Sequence, residues 1–314
     1  MNSHIVRANS NFSFFADDTN ALYTHKDLKT LELTVNAELH NLYNWLTSNK
    51  LSLNIKRSNY VIFRPYPKKL NYDPQVYVFD NESNKKDTLE RKNFIKYLGL
   101  LTDENLSWKT HIHSVANKIS KTIGLIARLR NIVPACTLLN IHQSLITPYL
   151  TYGLISWGNA GKTLLEQCLV LQKRALRLIY FAETNGHAIP FFVNAKILPL
   201  QSPYYESVCS LMYDVNKNTA PDNILKLFSR ISSVHTYNTR ASTSEHFYTK
   251  ESRLNVKRNA FSRVGVKIWN GIPQILKERP KRAFKGSLKE MLLDFLETED
   301  SYIDVDTIIV KMKK

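Results

Sequence analysis

Two adjacent carboxylates, Asp17 and Asp18, follow Phe15 and Ala16 near the amino terminus, with short apolar stretches on both sides. This pattern suits the tight turn of a β-hairpin, where a divalent metal is held at the tip and the strands fix its position. A plainer interpretation is a solvated turn, because Asp tolerates turn dihedral angles and bonds its own backbone. The four residues by themselves leave both interpretations open.

The elements around this pair indicate an α+β fold. Thr24 to Asp27 have capping-box spacing, which marks a helix start, and an apolar stripe then continues to a predicted helix end near Asn49. The stripe consists of Leu28, Leu31, Val35, Leu39, Leu42 and Leu46. Short β-like runs follow at Leu51–Ile55, Tyr60–Phe63, Val76–Phe79 and Ile95–Leu100. The sequence therefore predicts a hairpin, a helix crossing it and further antiparallel strands.

The formal net charge of +16 is concentrated in particular segments. Between Lys109 and Arg130 there are five Lys or Arg residues and no Asp or Glu. On a helix, an apolar stripe forms one side, from Trp108 through Ile112, Val115, Ile119, Ile123 and Ile126, and Lys118, Lys121 and Arg128 lie opposite.

A helix after Thr163 repeats this design. Its inward residues are Leu165, Cys168, Leu169, Leu176 and Ile179, and its outward cations are Lys173, Arg174 and Arg177. Lys250 to Lys289 contain twelve Lys or Arg residues against two acids, Glu251 and Glu278. One such stripe is ordinarily a solvated helix face, but three with so few acids favour contact with nucleic-acid phosphates.

Several segments, in order and spacing, resemble the reverse transcriptase of non-LTR (LINE-type, jockey-like) retrotransposons. In the first third of the chain they are Phe15–Thr19, Asn49–Ile55 and Lys96–Gly99. Further along they are Leu106–Ile112, Pro148–Gly153 with Trp157–Gly158, Leu171–Ala175, Tyr237–Arg240 and Trp269–Pro273. The resemblance extends to about Phe295, so it covers nearly the whole chain.

This resemblance implies the carboxyl-terminal portion of an RNA-directed DNA polymerase, whose partners are an RNA template and a DNA primer. It implies that Asp17 and Asp18 are catalytic ligands of Mg²⁺ in two-metal nucleotidyl transfer, with Asp17 bridging the two ions. Tyr97, Leu98 and Gly99 correspond to the primer grip. Arg57 stands where the family has a Lys; it keeps the positive charge and is expected to contact nucleic acid, but it is not a proton donor at neutral pH. The family's upstream catalytic Asp and its template segment have no counterpart in the sequence, so the isolated chain is expected to be inactive.

The same resemblance divides the chain into four segments. Residues 1–100 form a partial polymerase palm, 101–158 a helical thumb and 161–297 a basic, mostly helical region, and 298–314 are expected to be a disordered acidic tail. Two alternatives stay open: a non-catalytic nucleic-acid-binding protein, and a relic of a mobile element without a role.

Other sequence features narrow the class of protein. No apolar run approaches the roughly 18 residues that span a bilayer, and the amino terminus does not read as a secretory signal. We therefore expect an intracellular protein, in the nucleus or cytoplasm, that is neither secreted nor bound to a membrane. Cys136, Cys168 and Cys209 lack the spacing of a zinc site or a disulfide framework, so each is expected to be buried and apolar.

Overall fold

A computed structural model describes residues 10–16, 18–66, 68, 70–80, 85–234, 246–249, 251–252 and 255–299. The chain divides into two compact units, an amino-terminal unit of residues 1–106 and a carboxyl-terminal unit of residues 107–314. The predicted thumb and the basic region after it belong to the same unit.

The amino-terminal unit contains eight short strands and one long helix among its described residues. The elements are β1 (Ser10–Phe15), β2 (Asp18–Tyr23), α1 (Leu28–Ser48), β3 (Asn59–Tyr60), β4 (Tyr77–Asp80), β5 (Lys85–Thr88), β6 (Glu90–Arg91), β7 (Phe94–Tyr97) and β8 (Leu100–Asp103). Strands β1 and β2, β4 and β5, and β7 and β8 pair antiparallel, whereas β3 and β6 pair in parallel. Together with the helical unit that follows, these elements confirm the predicted α+β class.

Helix α1 begins at a different cap from the one that the sequence indicates. The side chain of Asp27, rather than Thr24, caps it, because its Oδ2 accepts hydrogen bonds from the Thr30 N–H and hydroxyl, both at 2.8 Å. The apolar stripe of α1, including Val35 and Leu39, packs against buried Val76 and Val78. No residue of α1 is fully buried.

Three strand predictions were wrong in the amino-terminal unit. Of the run Tyr60–Phe63, only Tyr60 lies in a strand, β3. Leu51–Ile55 is not a strand, because the Asn54 side chain accepts the Arg57 N–H at 3.2 Å and caps a single 3₁₀ turn at Ile55–Arg57. The run Ile95–Leu100 is split into β7 and β8 by a turn at Leu98 and Gly99.

The carboxyl-terminal unit is helical throughout its described elements. These are α2 (Lys109–Leu129), α3 (Ala135–Leu145), α4 (Thr147–Thr151), α5 (Leu154–Trp157), α6 (Lys162–Ile179), α7 (Ile189–Asn194), α8 (Gln201–Asn216), α9 (Asp222–Leu225), α10 (Ile231–Val234), α11 (Asn255–Arg258), α12 (Phe261–Gly271), α13 (Gln274–Lys277) and α14 (Lys281–Glu299). Most of the predicted acidic tail lies outside the described residues, as does Tyr237–Arg240.

Two sets of helices carry the core of this unit. Helix α2 packs on α6, and α8 packs on α12 and α14. In the second set, the centre of the Tyr213 ring lies 6.3 Å from the centre of the Trp269 ring and 5.2 Å from the centre of the Phe284 ring. On α14 the buried side is formed by Phe284, Leu288, Leu292 and Leu296, whereas Met291 and Phe295 are half-buried.

All three cysteines are free thiols. Cys168 and Cys209 are buried as expected, but Cys136 is exposed in the first turn of α3. Burial raises the pKa of each buried thiol to about 12, so neither is a ready nucleophile.

Four of the described helices end with a non-glycine residue in the left-handed conformation. The residues are Lys50, Phe181, Lys196 and Asn218, with φ angles of 57°, 54°, 51° and 56°. In each case the next N–H bonds a carbonyl five residues earlier, which is the Schellman motif that ordinarily takes glycine. For example, the Ala182 N–H donates to the Arg177 carbonyl at 2.9 Å.

Candidate nucleic-acid interface

The chain forms a β-hairpin at this point, and Asp18 begins its second strand. Phe15 pairs with Asp18 across β1 and β2, which leaves Ala16 and Asp17 between the strands. Ala16 has φ 52°, in the left-handed region typical of two-residue hairpin turns, whereas Asp17 lies outside the described residues. Asp18 is exposed at the first position of β2.

The described residues at this turn supply too few ligands for a metal ion on their own. Asp18 contributes one carboxylate, and the described residues contain no group of three His, Cys, Asp or Glu side chains that could hold an ion. This donor set does not complete a two-metal site.

The segment predicted to be a primer grip is a two-residue hairpin turn. Tyr97 pairs with Leu100, and the residues between them have φ 44° at Leu98 and φ 86° at Gly99. Two successive left-handed residues are the signature of a type I′ turn, in which glycine is unstrained and leucine costs roughly 1–2 kcal/mol. Arg57 is exposed in the separate 3₁₀ turn.

Helix α2 presents the basic face that its sequence predicts. Ile112, Val115, Ile119, Ile123 and Ile126 are all buried. Lys118, Lys121 and Arg128 are all exposed. The Arg128 Nε donates to the Gly124 carbonyl at 3.2 Å, which holds that side chain along the helix surface.

On helix α6 the three predicted cations differ in their surroundings. Arg174 is exposed, whereas Lys173 and Arg177 are half-buried. Burial is the main cause that lowers the pKa of Lys173, and the neighbouring charge of Arg177 adds to the effect. The Arg177 Nε donates to the Gly186 carbonyl at 2.8 Å, so Arg177 also braces the loop after α6.

Some of the cations between Lys250 and Lys289 are engaged within the protein. The Lys281 ammonium lies 2.6 Å from the Asp214 carboxylate. Lys277 is buried, with its ammonium 5.4 Å from the centre of the Trp269 ring. Burial lowers the pKa of Lys277 to about 8, and the charge of Arg230 contributes. This segment therefore offers fewer cations to a ligand than its composition suggests.

Two exposed aromatic residues, one of them beside the basic face of α2, are not indicated by the sequence pattern. Tyr149, Tyr152 and Trp157 follow Pro148 in an apolar run, which predicts core positions for all three. Trp157 is fully buried, but Tyr149 is 39% exposed and Tyr152 is 57% exposed. The Lys118 ammonium lies 5.0 Å from the centre of the Tyr149 ring, so this aromatic side chain adjoins the basic face of α2.

The described part of the chain thus combines a helical unit that has an exposed basic face with an α+β unit that contains the β1–β2 hairpin. Several known proteins are similar to this chain. The chain is 34% identical over 88 residues to the RNA-directed DNA polymerase from mobile element jockey of Drosophila melanogaster, a match covering 27% of this chain and 10% of that protein. Two probable RNA-directed DNA polymerases of the same fly, from transposon BS and transposon X-element, are 25% identical over 147 residues and 24% identical over 169 residues.

The last two matches cover 46% and 52% of this chain, and 14% and 18% of the respective relatives. The chain therefore aligns with less than a fifth of each relative. No protein-family model matches the sequence, and no solved structure does either. Over part of its length the chain is similar to RNA-directed DNA polymerases of mobile elements, which confirms the resemblance seen in its motifs. None of the described helices is long and apolar enough to cross a membrane.

Proposed function

We propose that this chain acts as part of an RNA-directed DNA polymerase and binds the template–primer duplex through phosphate contacts. The observation that supports this most is the exposed row of Lys118, Lys121 and Arg128 on α2, in a segment that contains no acid from Lys109 to Arg130. Cations that no carboxylate neutralises attract the phosphate backbone irrespective of base sequence.

The length of this row suits a duplex. Lys118 and Arg128 are ten residues apart, and a helix rises 1.5 Å per residue, so the row extends roughly 15 Å. Double-stranded DNA carries one charge per 1.7 Å of its axis, so about nine phosphate charges fall within that length. The three cations can therefore each contact a phosphate whatever the base sequence of the duplex.

The β1–β2 hairpin is the part of the chain that we assign to catalysis in the whole polymerase. Asp17 and Asp18 would ligate Mg²⁺, and Tyr97, Leu98 and Gly99 would hold the primer end. Metal ions bound there in the whole polymerase would supply positive charge for phosphoryl transfer. The chain's own contribution at the turn is carboxylate charge presented between two strands.

Salt dependence of binding tests the proposal. Affinity for a 20-base-pair RNA–DNA hybrid is measured by filter binding over a salt series, with the wild type and a triple variant in which Lys118, Lys121 and Arg128 are replaced by Gln. We expect the slope of log K against log salt to become shallower by about two to three units, because each lost phosphate contact removes about 0.9 on duplex DNA.

A matched control separates local contact from net charge. Lys196, Lys217 and Lys226 are exposed on the same unit but lie outside both basic faces, so replacing them by Gln removes the same charge. This control variant should keep nearly the wild-type slope. Equal slopes for wild type and the α2 variant, with circular dichroism showing both folded, would mean that the α2 row is only a solvated face.

A further inference from the structure

Phe181 occupies a backbone conformation that disfavours it. It is the left-handed residue of the Schellman motif that ends α6, with φ 54°, where glycine would satisfy the same hydrogen bonds without strain. Asn218 tolerates the equivalent position through its short polar side chain, and the lysines at 50 and 196 extend into water. Phe181 instead exposes 54% of an apolar residue to solvent.

The surroundings hold this ring in place. The Arg130 guanidinium, at the end of α2, lies 4.5 Å from the centre of the Phe181 ring. Just before Phe181, the Tyr180 ring stacks on Phe191 at 5.1 Å with an interplanar angle of 17°, which fixes the end of α6. Just after it, the hydrogen bond from Arg177 to Gly186 braces the loop.

Phe181 is exposed, held in place by its neighbours and kept in a strained backbone conformation. Strain of this kind is typical of functional sites and therefore indicates that the ring binds a ligand. The ligand must be able to contact a flat apolar ring that lies beside a guanidinium. Of the exposed cations on α6, Arg174 is the nearest to Phe181 along the chain. The one carboxylate within two residues, Glu183, is also exposed. A nucleotide combines a π-face with an anionic phosphate, so it matches both the ring and the cations.

We propose that Phe181, with Arg130 behind it, is a stacking platform for one unpaired base at the end of a bound duplex. This inference rests on the proposed nucleic-acid binding and deepens it, because it specifies a junction between paired and unpaired nucleotides. Phosphates of the adjoining strand would contact Arg130 and Arg174. The competing interpretation is a purely structural clamp in which the Arg130–Phe181 pair joins α2 to α6.

The experiment compares two hybrids that differ by one nucleotide. One is blunt, and the other carries a single unpaired 2-aminopurine at the 3′ end of the DNA strand. The wild type should bind the overhanging hybrid about fivefold to a hundredfold more tightly than the blunt one, which is the usual range for stacking one base on an aromatic side chain. The 2-aminopurine fluorescence should fall on binding, because stacking quenches it.

The decisive variant is Phe181→Gly. It removes the ring and relieves the left-handed strain while keeping the hydrogen bonds that end α6. Unchanged affinity for the blunt hybrid and an unchanged circular dichroism spectrum show that the loss of the Arg130–Phe181 contact has not damaged the fold. We expect this variant to bind both hybrids with the wild type's affinity for the blunt one, whereas Phe181→Trp keeps the preference and the quenching. Asn218→Gly makes the same backbone change at another helix end and should behave as wild type.

Each contrary outcome has a distinct meaning. An undiminished preference for the overhang in Phe181→Gly overturns the stacking platform. A wild type that binds both hybrids equally also overturns it, while leaving phosphate binding intact. A wild type that binds neither hybrid, even at low salt, overturns the proposed function and this inference together.

Discussion

Gly158 and Gly124 should respond to the same substitution with opposite signs. A Cβ added at Gly158 would lie 2.4 Å from Cδ2 of Tyr204 and 2.7 Å from the Leu154 carbonyl oxygen. The same atom added at Gly124, inside α2, would have no neighbour within 4 Å. Neither glycine has a positive φ, so an L side chain causes no backbone strain at either position. The difference between them is therefore space alone.

The expected magnitudes follow from that geometry. Carbon atoms in contact normally lie about 3.5–4 Å apart, so the buried Tyr204 ring must move by about 1 Å to admit the methyl group that Gly158→Ala adds. Overpacking of this kind typically costs 1–3 kcal/mol, and we expect Gly158→Ala to lie near 3 kcal/mol because a backbone oxygen is also too close. Gly124→Ala should add about 1 kcal/mol, since alanine fixes a helix with less entropy loss than glycine.

Urea unfolding followed by tryptophan fluorescence measures both effects. Three of the four tryptophans, Trp108, Trp157 and Trp269, belong to the carboxyl-terminal unit, so the signal reports mainly on that unit. With a slope of about 3 kcal/mol per molar urea, Gly158→Ala should lower the midpoint by about 1 M and Gly124→Ala should raise it slightly. Equal midpoints for Gly158→Ala and the wild type would refute the packing argument around Tyr204.

Two buried bases predict how stability depends on pH. Burial lowers the pKa of His142 to about 4, so the unfolded chain takes up this proton first as the pH falls below 6.5. The free energy of unfolding should therefore drop by up to about 3 kcal/mol by pH 4. In His142→Leu, unfolding curves measured over the same pH range should show a smaller loss. Burial lowers the pKa of Lys277 from about 10.5 to about 8, so the unfolded chain takes up this proton first as the pH falls through that range. The resulting loss of stability is complete below about pH 8. Lys277→Met should therefore raise stability at pH 7 by about 2–3 kcal/mol, and the advantage should vanish by about pH 10.5.

The long helices could be predicted because their periodicity extends over about six turns. The buried and exposed sides of α2 agree with its sequence pattern residue by residue, and the same holds for the inward face of α6. The strands are four residues long or fewer beyond β2, which is too short for alternation to identify them. Local structure prevents a strand in two of the predicted runs. The Asn54 side chain caps a 3₁₀ turn, and the left-handed φ angles of Leu98 and Gly99 form a hairpin turn.

The candidate interface could be predicted from the sequence only where all its residues lie on one helix. The pairing of Arg130 with Phe181 joins residues fifty-one positions apart, and no periodic pattern links them. The exposure of Tyr149 was missed because an apolar run does not show which side of a five-residue helix faces water. Glycine, the usual signal of a helix end, is missing at all four left-handed helix ends described above, so the sequence gives little sign of them.

The packing of α8 on α12 and α14 constrains how the protein is synthesised. Tyr213 on α8 depends on Trp269 and Phe284 for its cover, and α14 continues to Glu299. A ribosome adds about 5–20 residues per second, so the roughly eighty residues between the ends of α8 and α14 take about 4–16 seconds. During that interval the apolar side chains of α8 lack their partners. The core of this helix set is therefore completed only after α14 has been synthesised.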